Sequence, residues 1–217
     1  MIFAIYLASP FFAVYVLKEL NFSYAWYMLF MVANTGANFL SLSFWGKLAD
    51  KYGNITLIKF SSKLIALTPL FWLLTPLFLN VKIFVLIYIM IIEMFAGFAF
   101  AGFLFTTNNF VYDAVSRERM AIVMSYKKII GSVGIFLGTL LGGIIASFNF
   151  KVGIITPILL VFFISFVLRF VIARYFAKDI KEIRKDVAEL KFDLDTIETK
   201  IFAENRIFKY LFLRPKR

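Results

Sequence analysis

Six apolar runs follow one another with only short polar breaks, each close to the roughly 20 residues that carry a helix across about 30 Å of hydrocarbon. They cover about Ile2 to Leu17, Tyr24 to Trp45, Ile55 to Leu79, Ile83 to Phe105, Ile129 to Phe148 and Val152 to Val171. Lipid offers no partner to a free backbone N–H or C=O, so runs of this length fold as helices. With 62% of 217 residues hydrophobic, the chain carries more apolar surface than one water-soluble core can hide. The fold class is therefore all-α: a polytopic membrane protein of six transmembrane helices. The first run is slightly short for a span and reads as cut at its start.

The chain contains no cysteine and no histidine. Cys nucleophiles, Cys/His metal sites, Ser-His-Asp triads and haem ligation through those residues are thereby removed. No enzyme, no metal and no cofactor is expected. The net charge of +11 is what cytoplasmic loops of a membrane protein accumulate, so it calls for no nucleic-acid partner. If alternate breaks fall on alternate sides, Lys47, Lys51, Lys59, Lys63, Arg117, Arg119, Lys127 and Lys128 share one side. The other keeps only Lys18, Lys82 and Lys151. The basic side is the cytoplasmic one, and six spans put both termini there, in a multi-pass protein of the cell membrane.

Polar groups inside the runs are the candidate site. Glu93 is the carboxylate deep in a span, where an ionised group is costly unless it is paired or hydrated. Asn34 and Asn38, four apart on one helix face, either hydrogen-bond a neighbouring helix or line a wet path. Gly134, Gly138 and Gly142 repeat every four residues and form a smooth stripe for close helix packing. Pro69 and Pro76 predict bends, because each removes a backbone donor; the first run also contains Pro10. Lys59 and Lys63 snorkel to the near interface, and Arg169 and Arg174 end the sixth run.

The stretch Gly46-Lys47-Leu48-Ala49-Asp50-Lys51-Tyr52-Gly53-Asn54 reads as a tight charged turn between the second and third helices. Its pattern Gly-x-x-x-Asp-Lys-x-Gly resembles the signature loop of the major facilitator superfamily, with agreement at Gly46, Asp50, Lys51 and Gly53. Asn54 stands where that family usually has Arg or Lys. The opening Ser9-Pro10-Phe11-Phe12 through Tyr15, and Asn108 to Asp113 before a basic stretch, resemble the C-terminal half of these transporters. The likeness covers about Ile2 to Arg174. The Gly138 to Gly143 segment is also similar to a glycine-rich motif of the family's antiporters, with Thr139 in place of proline.

The resemblance implies one six-helix half of a secondary transporter that moves a small solute by alternating access, with proton coupling at Glu93 as the further expectation. It places Tyr6, Glu93 and Phe98 at the cavity wall beside Asn34 and Asn38. It makes the Gly46 to Gly53 segment the conformational switch. Expected partners are membrane lipid, an unidentified solute, and either the missing N-terminal half or a second copy of the chain.

Residues 1–174 form the expected bundle and 175–217 a cytoplasmic helical tail. In the tail Ile180, Ile183, Val187, Leu190, Leu194, Ile197 and Ile201 make a heptad seam, and a basic aromatic end follows. That seam suits self-association, a partner helix or docking on the bundle. A membrane-anchored scaffold that recruits a partner through the tail is the alternative function.

Overall fold

A computed structural model describes residues 1–78, 81–150 and 156–176. The tail seam, the basic aromatic end and the 175–217 segment as a unit lie outside the described residues. Among the described residues there are six α-helices and no strand: α1 (Ile2–Val14), α2 (Tyr24–Tyr52), α3 (Asn54–Leu74), α4 (Lys82–Ala114), α5 (Met120–Ala146) and α6 (Pro157–Val171). α1 and α6 each continue into a π-helical turn, Tyr15–Glu19 and Ile172–Phe176. Five of these helical segments are long and apolar enough to cross a membrane. α2 has the length but is diluted by Asn34, Thr35, Asn38, Ser41 and Ser43.

Several helix ends fall outside the apolar runs. α2 continues seven residues beyond Trp45, to Tyr52, so Gly46 to Lys51 are helical and the expected nine-residue turn shrinks to Gly53. Gly53 takes φ 80°, a left-handed value that residues with a Cβ resist, and its N–H closes α2 on the Ala49 carbonyl. α4 runs to Ala114, which leaves Val115, Ser116 and a short 3-10 turn (Arg117–Arg119) as the connection to α5. Lys127 and Lys128, expected in a basic loop, lie within α5. α3 stops at Leu74 and passes into a 3-10 turn, Thr75–Phe78, around Pro76. α6 begins at Pro157, five residues later than the apolar run, with Thr156 as its cap. The Thr156 hydroxyl accepts the Leu159 N–H at 3.4 Å and donates to Glu19 Oε2 at 3.0 Å, tying the start of α6 to the end of α1.

Packing follows the small residues. α1 lies along α5, α2 along α4, and α3 sits between α4 and α6. A Cβ added at Gly138 or Gly142 would collide with the Phe3 or Leu7 carbonyl of α1, and at Gly134 it would touch the Phe3 nitrogen at 3.4 Å. Gly138 and Gly142 are the buried residues of α5. The main apolar core joins α1, α3 and α6 through Phe12, Tyr15, Trp72 and Phe162, whose rings pack against one another.

Candidate functional site

Parallel contacts along α2 and α4 build one wall. At their closest approach the Asn34 backbone rides over Gly97, where any Cβ would meet the Asn34 carbonyl. Glu93 is one turn from Gly97, and this proximity brings the Asn34 amide to it. Asn34 Nδ2 donates to Glu93 Oε2 at 2.7 Å and to the Glu93 carbonyl at 3.2 Å. Glu93 is 8% exposed. Its other oxygen, Oε1, takes no hydrogen bond among the described residues. Further along, Trp45 Nε1 donates to the Phe98 carbonyl at 2.9 Å, and the indole lies on Gly102.

Phe98, expected at the cavity wall, instead packs its ring on Trp45 and Phe44. Phe100 lines the cavity in its place. Two residues along a helix turn the side chain by about 200°, which separates the two phenylalanines.

The cavity measures about 320 Å³ and is lined from α1, α2, α3, α4 and α6. Tyr6, Asn34 and Glu93 all face it, but Asn38 does not. Asn38 is half-buried, and its carbonyl accepts the Ser41 hydroxyl at 2.9 Å. The aromatic lining comes from Tyr6, Phe12, Tyr27, Phe30, Trp72 and Phe100. Trp72 Nε1 is buried without a hydrogen-bond partner.

Arg169, at the end of the sixth apolar run, also lines the cavity. It is 2% exposed. Its guanidinium donates to the carbonyls of Ala4 at 3.3 Å, Ile5 at 3.1 Å and Ile65 at 3.2 Å. Ser165, one turn earlier, donates to the Ala4 carbonyl at 2.6 Å. The Ile65 carbonyl is the one that residue 69 would bond in an uninterrupted helix, and residue 69 is the buried Pro69. Proline has no N–H to offer, so Arg169 supplies the missing donor and holds the α3 bend against α1 and α6. No carboxylate pairs with it among the described residues. The sequence signal for this arrangement is Ser165 and Arg169 at helical spacing on a span otherwise without charge.

The signature segment lies at the far end of the α2–α4 wall. A Cβ added at Gly46 would lie 3.6 Å from the Phe105 ring, an ordinary contact. Asp50 and Lys51 are exposed, with Lys51 Nζ over the Tyr52 ring at 5.3 Å. Asn54 opens α3 fully buried, and its amide donates to Asp113 Oδ2 at 2.6 Å near the end of α4. A neutral amide thus reaches the carboxylate where the family pattern carries a cation. On the adjoining helix Lys127 Nζ donates to Asn108 Oδ1 at 2.6 Å, joining α5 to α4.

No cluster of carboxylates fit to hold a metal ion occurs among the described residues. The family model of the Major Facilitator Superfamily matches residues 1–215. No curated protein and no solved structure matches the chain. A match across nearly the whole length joins six bundled helices, a cavity between them that holds Asn34, Glu93 and Arg169 in an otherwise mostly apolar lining, and the signature residues at the α2–α3 junction. On that footing this multi-pass membrane chain belongs to the major facilitator superfamily, a family of transporters.

Proposed function

We propose that the chain is one six-helix half of a secondary transporter, which carries a small solute by alternating access with Glu93 as its coupling group. The observation that carries this reading is the 320 Å³ cavity whose wall holds a buried carboxylate on a single amide partner. A carboxylate tied to several donors is structural, whereas one with a free oxygen facing a cavity can exchange a proton or meet a solute. Solute enters between this bundle and a facing one, and rocking of the two exposes the cavity to each side in turn.

The facing bundle is a complementary half or a second copy of the chain. By the lysine and arginine distribution, the α2–α3 junction and both termini lie in the cytoplasm of a cell-membrane protein. Gly46, Asp50, Lys51 and Gly53 act as the switch: Gly53 fixes the angle between two helices, and the charged helix end remakes its contacts as the bundles rock. No bond in a solute is made or broken in this scheme, so the protein is not an enzyme.

The test is solute flux into liposomes holding the assembled protein, with Glu93→Gln compared at equal abundance over a range of pH. The substitution keeps the side chain's size and its place beside Asn34, so loss of the pH dependence with retained assembly is the expected result. Unchanged flux and unchanged pH dependence would leave Glu93 as a packing hydrogen bond only.

A further inference from the structure

We propose that the cavity takes a zwitterion: a solute with an amine and a carboxylate on an apolar or aromatic body. The proposal rests on the transporter reading and names its substrate class. It follows from two charges of opposite sign in one cavity that do not pair with each other. Glu93 and Arg169 both line the space, yet the hydrogen bonds of Glu93 go to Asn34 and those of Arg169 go to three backbone carbonyls.

Each charge has capacity left over. A guanidinium has five N–H donors; Arg169 commits three, leaving two. Glu93 Oε1 accepts from no described residue. A buried charge without an opposite partner is unfavourable by several kcal/mol on an order-of-magnitude scale. A solute of one sign relieves one of these groups and leaves the other uncompensated. A dipolar solute relieves both, with its ammonium toward Glu93 and its carboxylate toward Arg169.

The remaining lining fits the rest of such a molecule. Tyr27, Phe30 and Phe100 accompany Glu93 as cavity-lining rings, and aromatic faces attract an ammonium as well as apolar groups. The orientation of Arg169 is fixed by carbonyls from both α1 and α3, so its free donors are held in place before a solute arrives.

Three probes that share the phenylalanine body separate the charges: L-phenylalanine, its amide without the carboxylate, and N-acetyl-L-phenylalanine without the ammonium. Binding to the purified full-length chain is read from intrinsic tryptophan fluorescence, with Trp72→Phe identifying the cavity signal. L-phenylalanine is expected to bind at least about tenfold more tightly than either analogue, a gap of about 1.4 kcal/mol. Glu93→Gln should erase its advantage over the N-acetyl compound while keeping that over the amide. Arg169→Gln should do the reverse; because that variant loses three structural bonds, the ranking of the three probes on the unaltered chain is the deciding measurement. Equal or tighter binding of either singly charged analogue, or no binding by all three, overturns the proposal. Flux of the amide alone through the assembled protein would overturn it too, while leaving the transporter reading intact.

Discussion

Arg169 shows how one residue holds three helices. Its bonds reach α1 and α3 from α6, and the one to Ile65 replaces a donor that Pro69 cannot supply. The two residues are therefore energetically coupled. Arg169→Met should lower stability by about 1–3 kcal/mol through the orphaned carbonyl. Pro69→Ala restores the N–H at residue 69, so adding it to Arg169→Met should recover about 1 kcal/mol. The measurement is a double-mutant cycle of thermal unfolding in detergent. Additive effects would show that the proline and the arginine act independently. The sequence shows only the helical spacing of Ser165 and Arg169, because a charge near the end of an apolar run reads as an interfacial anchor until the neighbours that bury it are known. Glu93 is legible for the opposite reason: nothing at the middle of a span leads to water. Asn34 is legible only as polar on an inner face, since its partner depends on Gly97 letting the two backbones meet.

At the scale of the helix, the six elements are readable from hydropathy and their ends are not. Hydropathy marks where a helix leaves lipid, whereas a helix ends where its backbone can no longer continue. Asp50, Lys51, Asn108 and Lys127 are compatible with helical backbone, so α2, α4 and α5 each extend beyond the apolar run that announces them. What stops α2 is Gly53 at positive φ, and what starts α6 is Thr156 with Pro157, local signals independent of hydropathy. Phe98 departs from its expected place for a related reason: helix rotation, which an apolar run does not encode, turns it toward Trp45. The α2–α4 approach gives a direct test. Gly97→Ala places a methyl against the Asn34 carbonyl and should cost about 1–3 kcal/mol by overpacking, with loss of the Asn34–Glu93 bond. Gly143→Ala, with open space around its site, should leave thermal stability within about 0.5 kcal/mol of the parent chain. Equal melting temperatures for the two variants would show that the helices do not meet as closely as Gly97 requires.

At the scale of the whole molecule, several helices of the described bundle expose long apolar faces, and those of α2 and α5 also carry hydroxyls. On α2 the exposed Leu29, Val32 and Leu40 alternate with Thr35, and on α5 the exposed Ile129, Val133 and Phe136 alternate with Ser132. Lipid satisfies the apolar members of each face but offers nothing to the hydroxyls beyond their own helix, and a second bundle satisfies both. The cavity also calls for a second bundle, since alternating access needs a facing wall that moves relative to this one. The chain as a monomer is therefore expected to bind solute without transporting it, and transport should appear with pairing. A second copy related by a two-fold axis would reproduce the symmetry of two facing halves, whereas a separate complementary half would do so only approximately. Reconstitution of the purified chain in liposomes, with crosslinking to report assembly and labelled solutes to report flux, distinguishes these outcomes. Saturable flux that rises with the crosslinked dimer identifies the second copy as the partner. A chain that binds solute, stays monomeric and gives no flux calls for the complementary half. Saturable flux from vesicles that hold one crosslink-silent chain apiece would sink the half-transporter reading, because a single bundle would then carry solute through its own cavity.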